Sequence, residues 1–133
     1  MTEQEKQILI KVLCVGLPYE TKVEVCIKDK NIKCIDCVKY NTIGTYIGLL
    51  DEEKFSVKPY LRPLTSMTEE ERNEYLNIKM QEAERVALAE IYRPEAISEI
   101  MDWLDSHHLD YRGLIPMGLA LPAPEGMYNI KTE

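Results

Sequence analysis

The densest group of polar side chains in this sequence lies at His107 and His108, which Asp110, Tyr111 and Arg112 follow closely. A histidine acts as a general base when a carboxylate orients its ring, and an arginine binds anions. On that interpretation the group is a hydrolase-like site in which His108 takes a proton, Asp110 orients it and Arg112 holds the substrate. The structural alternative is that both histidines complement the dipole of a helix C-terminus while Asp110 caps the following turn.

Neither a serine or cysteine nucleophile signature nor a Gly-rich phosphate loop accompanies this group in the sequence. A function has to be argued from a complete site, and this one lacks a nucleophile. We therefore assign no catalytic residue and expect a non-enzymatic protein. A catalytic site, if there were one, would use His107, His108, Asp110 and Arg112.

Cys34 and Cys37 form a C-x-x-C pair, which in other proteins binds zinc or carries out redox chemistry. The pair falls inside a run with strand character, where residues i and i+3 point to opposite faces. A second C-x-x-C is missing, and Ile35-Asp36 does not open a helix as a thioredoxin-like motif would. We therefore expect no metal site and no cofactor.

Basic and aromatic residues alternate around Lys58, Tyr60 and Arg62, and Tyr40 and Tyr46 precede them. On one face of a sheet, such side chains bind single-stranded nucleic acid or a small ligand. The first 64 residues, however, hold ten Lys and Arg against nine Asp and Glu, so this half carries almost no net charge. We keep Lys58, Tyr60 and Arg62 as binding candidates but rank a protein partner above nucleic acid.

The net charge of −7 is concentrated in the second half of the chain. Residues 65–133 hold six Lys and Arg against fourteen Asp and Glu, and such an acidic half repels phosphate backbones. At 133 residues the chain fits one domain, residues 1–133, which can form a core without disulfides or metal. Its first 64 residues contain the predicted sheet, and the remainder is helical.

The N-terminus opens with TEQEKQ rather than with a basic start and an apolar run. No apolar run of membrane-spanning length follows it. Four cysteines without a secretory signal indicate reduced thiols. We therefore expect a cytoplasmic protein that does not associate with membranes.

Residues 58–72, KPYLRPLTSMTEEER, join the two halves. Pro59 and Pro63 cannot donate a ladder hydrogen bond, which favours an edge strand or an extended crossover. Thr68 and Glu71 then match the capping-box pattern at the start of a helix.

The pattern predicts an α+β fold with one helix followed by a four-stranded antiparallel sheet. The helix spans residues 2–15, beginning at the Thr2/Glu5 capping box and ending where Gly16 takes the left-handed C′ position. The predicted strands are residues 21–28, 32–40, 42–50 and 55–61, arranged as a meander or half-barrel. Gly44 and Gly48 would bend the third strand.

Two to three helices and an apolar tail complete the predicted fold. Residues 69 to about 92 have helical composition, and whether they form one continuous helix is left open. Their apolar stripe consists of Leu76, Met80, Ala83, Ala87 and Ile91. Pro94 fits the first turn of the next helix, and Asp110 caps a turn over residues 111–117. The apolar residues 114–121 should lie against the core.

The phrases KPYLRPLTSMTEEE, DWLDSHHLDYRGLI and GLALPAPEGMY cover the joint and the C-terminal part of the chain. Together with the opening helix ending in LPY, they resemble an uncharacterised family of small proteins from gut Bacteroidetes and their phages. The resemblance carries no activity, cofactor or catalytic residue. It implies an intracellular, phage-associated accessory protein that acts by binding a host or phage protein.

Overall fold

The computed structural model describes residues 1–89 and 94–128, without the side chains of residues 82, 85–89 and 94–98. The fold is α+β. In chain order its elements are α1 (Glu3–Val15), β1 (Lys22–Ile27), β2 (Ile32–Cys37), α2 (Ile43–Leu49), β3 (Phe55–Leu61), α3 (Glu69–Ala89), α4 (Pro94–Ser106) and β4 (Leu121–Pro122). Short 3-10 turns at Leu17–Tyr19 and Leu64–Ser66 follow α1 and β3 respectively.

The sheet has the strand order β2-β1-β3-β4. The first three strands are antiparallel, as predicted, and β4 pairs with β3 in parallel through Tyr60 and Leu61. The prediction of a purely antiparallel meander is therefore wrong. The sheet is mixed and open, because the fourth strand comes from the C-terminal tail rather than from residues 42–50.

Residues 42–50 were predicted as a strand, and this prediction is wrong: Ile43–Leu49 form α2. Ile43, Tyr46, Ile47 and Leu50 recur at i, i+3, i+4 and i+7, which is the helical period. The exposed Gly44 and Gly48 lie on the opposite side of this helix, so they do not bend a strand.

Helix α1 begins at the predicted capping box, in which Thr2 and Glu5 bond to each other's backbone N–H groups. Its end differs from the prediction, since Gly16 has φ −81° and the left-handed residue is Glu20, after a 3-10 turn. Glycine is required at position 16 for a different reason. A Cβ there would lie 2.2 Å from the Thr21 hydroxyl oxygen.

Pro59 lies inside β3 without breaking its pairing to β1. The Lys28 N–H bonds to the Lys54 carbonyl, so in the antiparallel ladder residues 54, 56 and 58 face β1. Position 59 therefore faces the other edge, where β4 pairs only with Tyr60 and Leu61. The predicted edge strand or extended crossover is therefore wrong, since β3 lies between β1 and β4; the proline is tolerated because its missing N–H faces the side on which β4 does not pair with it.

Two apolar clusters form the core. One face of the sheet packs on α1 and α2 through Leu13, Val23, Val38, Tyr46 and Val57. The second cluster joins α1, the end of β3 and the tail through Leu9, Val12, Leu61, Leu114, Leu119 and Ala120. The apolar tail thus lies against this chain's own core, as the sequence predicts.

Helix α3 contacts α4 with a different face from the one predicted. The rings of Tyr75 and Trp103 meet at 5.7 Å between centroids, whereas Leu76 and Met80 are 49% and 71% exposed. The predicted stripe therefore faces solvent at Leu76 and Met80. Two of its other members, the side chain of Ala87 and residue Ile91, lie outside the described residues. The helix is continuous to Ala89.

The predicted capping box at the start of α3 is present. The Glu71 N–H donates to the Thr68 hydroxyl at 3.1 Å, and the Thr68 N–H donates to the Glu71 carboxylate at 2.9 Å. We expect Thr68→Ala to lower the free energy of unfolding by about 1 kcal/mol, because N-cap removals usually do. Chemical denaturation measures this, and Thr65→Ala, at an exposed position nearby, is the control. An unchanged midpoint for Thr68→Ala would contradict the capping role.

Candidate functional site

Arg62 and Glu71 form a buried ion pair where the two halves of the chain meet. Their side chains are only 7% and 5% exposed. The pair is bidentate, with guanidinium nitrogens 2.8 Å and 2.6 Å from the two carboxylate oxygens. The same guanidinium donates to the carbonyls of Ser66 and His107, each at 3.2 Å. One arginine therefore ties β3 to the start of α3 and the end of α4.

The pKa of Glu71 is lowered to about 2, first by the hydrogen bonds from Arg62 and then by the Thr68 N–H, which together outweigh burial. The carboxylate is therefore ionised at neutral pH. Each of its oxygens is hydrogen-bonded to Arg62, and one also accepts from the Thr68 backbone. Arg62, predicted as a ligand-binding residue, is thus used to hold the fold together.

The two histidines lie at the C-terminus of α4, as the structural alternative predicts. His108 takes the left-handed conformation with φ 57°. The Leu109 N–H returns to the Leu104 carbonyl and the His108 N–H to the Asp105 carbonyl, which is the Schellman arrangement that ends helices. His108 therefore occupies a position where glycine or asparagine is usual.

The His108 ring is buried between Thr21 and Tyr128. Its Nδ1 lies 3.4 Å from the Thr21 hydroxyl, and its ring stacks on Tyr128 with 3.7 Å between centroids. Burial, followed by the positive charge of Arg62, lowers the pKa of His108 to about 4. The imidazole is therefore neutral at physiological pH and too weak a base for proton abstraction there.

Asp110 does not orient His108. Its two carboxylate oxygens accept hydrogen bonds from the backbone N–H groups of Leu114 and Ile115, at 2.8 Å and 2.9 Å. This is the predicted cap of the following turn. The backbone of Asp110 also pairs with β3, since its N–H donates to the Arg62 carbonyl at 2.8 Å.

His107 and Arg112 also bond within the chain. The Nδ1 of His107 lies 2.8 Å from the Trp103 carbonyl, and its ring stacks on the Trp103 indole. Arg112 lies 3.5 Å from the Asp105 carboxylate and over the Tyr111 ring. The four catalytic candidates are therefore close in space, but each holds the backbone or a neighbouring side chain.

Tyr128 bridges β1 and β3 at the point where their ladder of hydrogen bonds ends. Its hydroxyl accepts from the Lys22 N–H at 2.9 Å and donates to the Tyr60 carbonyl at 2.7 Å. It thereby replaces the direct hydrogen bond expected between these two residues at the next ladder position. Burial raises its pKa to about 12, so the hydroxyl keeps its proton. Sequence reasoning missed this residue, since a lone tyrosine after a Pro-Gly turn carries no signal.

A cleft of about 830 Å³ opens beside the histidines, between the start of α3, the end of α4 and the tail. Glu20, Glu70 and Glu74 line it, and their side chains have no hydrogen bond or ion pair within residues 1–89 and 94–128. The cleft therefore offers negative charge. The Ser106 hydroxyl also lines it and lies 3.1 Å from the Nδ1 of His107, but this hydroxyl donates to the Trp103 carbonyl, from which the same Nδ1 lies 2.8 Å, so the pair is not a nucleophile with a free base.

The predicted basic and aromatic face is only partly formed. Lys58 and Tyr60 share the outer face of β3, where the Tyr60 hydroxyl bonds to Glu24 at 3.1 Å. Tyr46 is buried on the other side of the sheet, bonded to Asp36, and Tyr40 is exposed after β2. These residues do not make one stacking surface.

Cys34 and Cys37 lie in β2 opposite Val25 and Lys22 of β1, so their side chains point to opposite faces. All four cysteines are free. Within the part of the chain that the structure describes, three or more His, Cys, Asp or Glu side chains do not converge on a metal-sized site.

We expect stability to fall as the pH drops from 6.5 toward 4. In this window the folded state keeps His108 neutral, whereas the unfolded chain takes up a proton at this residue. Protonation therefore favours the unfolded state, and it lowers the free energy of unfolding by about 3 kcal/mol over the whole window. Chemical denaturation at stepwise pH measures this. His108→Asn, which suits the left-handed position and does not titrate, should flatten the profile in this window. An equally steep profile in His108→Asn would contradict the assignment.

No protein-family model, curated protein or solved structure matches this chain. Among the described residues, none of the helices combines the length and hydrophobicity that crossing a bilayer requires. The functional inference therefore depends on the geometry above.

Proposed function

We propose that this protein is a non-enzymatic interaction protein that acts by binding another protein. As the resemblance to small Bacteroidetes and phage proteins suggests, it works in the cytoplasm as an accessory factor. The proposal is supported by the hydrogen bonds of the polar side chains. The groups that would catalyse a reaction bond instead to the backbone or to one another.

Catalysis is disfavoured by three contacts in particular. Both oxygens of Asp110 cap a turn, the Arg62 guanidinium donates to Glu71 and to two carbonyls, and His108 is buried with a lowered pKa. A general base needs a free lone pair within reach of its substrate and a pKa near the working pH. His108 lacks the second of these, since burial and the charge of Arg62 lower its pKa to about 4.

Binding is favoured by apolar side chains that the fold leaves in water. Leu76 and Met80 form an exposed pair one turn apart on α3, directed away from α4. On the sheet, Ile32 and Ile35 of the edge strand are 49% and 57% exposed. Ile32 and Ile35 point to opposite faces of the sheet, so the pair on α3 is the contiguous surface, of the kind that marks sites of protein interaction on small proteins.

The test is affinity capture from a Bacteroidetes lysate with the wild-type protein and two surface variants. Leu76→Lys with Met80→Lys alters the helix, and Ile35→Glu alters the sheet edge; all three positions are exposed, so the fold should persist. We expect a protein that wild type retains and at least one variant loses tenfold or more. Equal retention by all three proteins would contradict both surfaces as the binding site. Retention of no protein above the bare matrix would contradict the proposed function, as would ester or phosphate hydrolysis that His108→Asn abolishes.

A further inference from the structure

We propose that the free edge of β2 receives an extended, acidic segment of the partner protein as an added strand. This inference rests on the proposed function and names the surface and the chemistry of the partner. It is carried by three observations: unpaired backbone groups, a groove beside them and the local charge.

The hydrogen-bond pattern shows which backbone groups of β2 are free. The Val38 N–H donates to the Thr21 carbonyl at 3.0 Å, so this pair is hydrogen-bonded. Because such pairs alternate along an antiparallel ladder, residues 32, 34 and 36 also face β1. The N–H and C=O groups of Lys33 and Ile35 therefore point away from the sheet, where a further strand would pair with them.

The edge has a defined end. The N–H of Cys37 would also point outward, but it donates to the carboxylate of Asp36 at 2.8 Å. The same carboxylate accepts the Tyr46 hydroxyl, which holds it in place. Such a capped N–H cannot pair with an incoming strand, so the available ladder is confined to Lys33 and Ile35. The bound segment is accordingly short, about four residues in extended form.

A groove of about 580 Å³ runs beside this edge. It lies between the β1–β2 end of the sheet and the tail, and its apolar lining includes Ile35, Pro124 and Met127. Lys22, Asp36 and the exposed Glu125 also line it, so the groove itself takes an apolar side chain and the acidic side chains of the segment must face the lysines outside it. Ile35 is more than half exposed there. In strand addition, main-chain bonds supply affinity and pockets for alternate side chains supply specificity. The groove is placed to take one apolar side chain of the added strand.

The local charge selects an acidic segment. Residues 28–39 hold four lysines and two aspartates, a balance of +2 within a chain of net charge −7. Lys30, Lys33 and Lys39 have exposed side chains with no hydrogen bond or ion pair to any described residue, and the same holds for one of the two acids, Asp29; the other, Asp36, is bonded to Cys37 and Tyr46. Two copies of this hairpin would bring like charges together, so a second copy is disfavoured as the occupant.

The probe is a synthetic peptide that alternates valine with glutamate, compared with the same peptide carrying lysine for glutamate. We expect at least tenfold tighter binding of the acidic peptide at low salt, weakening as salt is added. Amide hydrogen exchange should slow at Lys33 and Ile35 but not at Cys37. Equal binding of both peptides, or protection elsewhere on the protein alone, would overturn the proposal.

Ile35→Pro removes one outward N–H without touching the β1 ladder, and edge strands tolerate proline. It should abolish peptide binding. Ile35→Glu, which keeps the backbone and repels the acidic peptide, gives the same test if Ile35→Pro does not fold. A wild-type dimer that Ile35→Glu dissociates would overturn the proposal in favour of a second copy.

Different experimental outcomes contradict the edge-strand inference and the proposed interaction function. If Ile35→Glu still captures the natural partner and the double variant at Leu76 and Met80 does not, the edge-strand inference is wrong and the interaction function stands. If wild type retains no protein beyond those held by the bare matrix, the interaction function itself is contradicted.

Discussion

Glu71→Ala is expected to lower the free energy of unfolding by about 3–5 kcal/mol. The substitution leaves the Arg62 guanidinium buried without its carboxylate, and an uncompensated buried charge is strongly destabilising. It also removes the reciprocal bond to the Thr68 N–H. Denaturant unfolding followed by circular dichroism gives the value. Glu70→Ala, at the exposed neighbouring acid, should change stability by less than about 0.5 kcal/mol.

The pH dependence of the wild type offers an independent check on Glu71. Its folded-state pKa is lowered, so its contribution is present above the ordinary value of 4.5 and is lost as the pH falls toward 2. This window overlaps the one assigned to His108 only between about pH 4.5 and 4, so the effect of Glu71 is read below pH 4. If Glu71→Ala unfolds with the same free energy as the wild type, the ion pair does not stabilise the fold as argued.

Truncation after Tyr111 is expected to leave an insoluble or molten chain. The deletion removes Leu114, Leu119 and Ala120, all buried in the core cluster that also contains Leu9 and Leu61. Burial of each large side chain is worth about 1.5–3 kcal/mol, so together they approach the whole stability of a small domain. Circular dichroism with light scattering distinguishes a cooperative monomer from a collapsed or aggregated chain.

The matched control is truncation after Tyr128, which retains every tail contact described above, including the Tyr128 hydroxyl bridge. We expect that protein to unfold cooperatively near the wild-type midpoint. A folded, cooperative monomer from the shorter chain would mean that the tail does not complete the core. In that case the tail itself would be a candidate interaction surface.

Local signals in the sequence were sufficient wherever one short motif decides the structure. The Thr2/Glu5 and Thr68/Glu71 boxes fix two helix starts because both partners lie within four residues of each other. The cap at Asp110 is equally local. The predicted change from strand to helix within residues 58–72 is present, since β3 ends at Leu61 and α3 begins at Glu69, but the second half also contributes β4 to the sheet.

The hydrophobic pattern predicted the wrong structure where tertiary contacts determine whether a segment is a strand or a helix, or which side of a helix is buried. Residues 42–50 combine β-branched residues with two glycines, which suggested a bent strand, yet their spacing also fits a helix. The helix is stabilised because it packs Tyr46 into the core cluster against the sheet. Likewise, α3 is anchored by Glu71 and Tyr75, so its most apolar stripe is turned to solvent.

Long-range partners of polar groups could not be predicted at all. Arg62 was identified from its type and neighbours as a ligand-binding residue, but only the fold shows that Glu71 neutralises it. The free edge of β2 is similarly invisible in sequence, because it depends on which strand occupies the sheet margin. Candidate residues were therefore found more readily than their roles.

The bridge made by Tyr128 also bears on the order in which the fold assembles. Its hydroxyl joins Tyr60, 68 residues earlier, to Lys22, 106 residues earlier. Contacts across such sequence distances slow folding, because the intervening chain must be ordered before they form. During synthesis the β1 and β3 ends remain unbridged until residue 128 has left the ribosome. For that interval the Lys22 N–H and the Tyr60 carbonyl lack the hydrogen bonds that Tyr128 supplies, so this end of the β1–β3 ladder is the last part of the sheet to be completed.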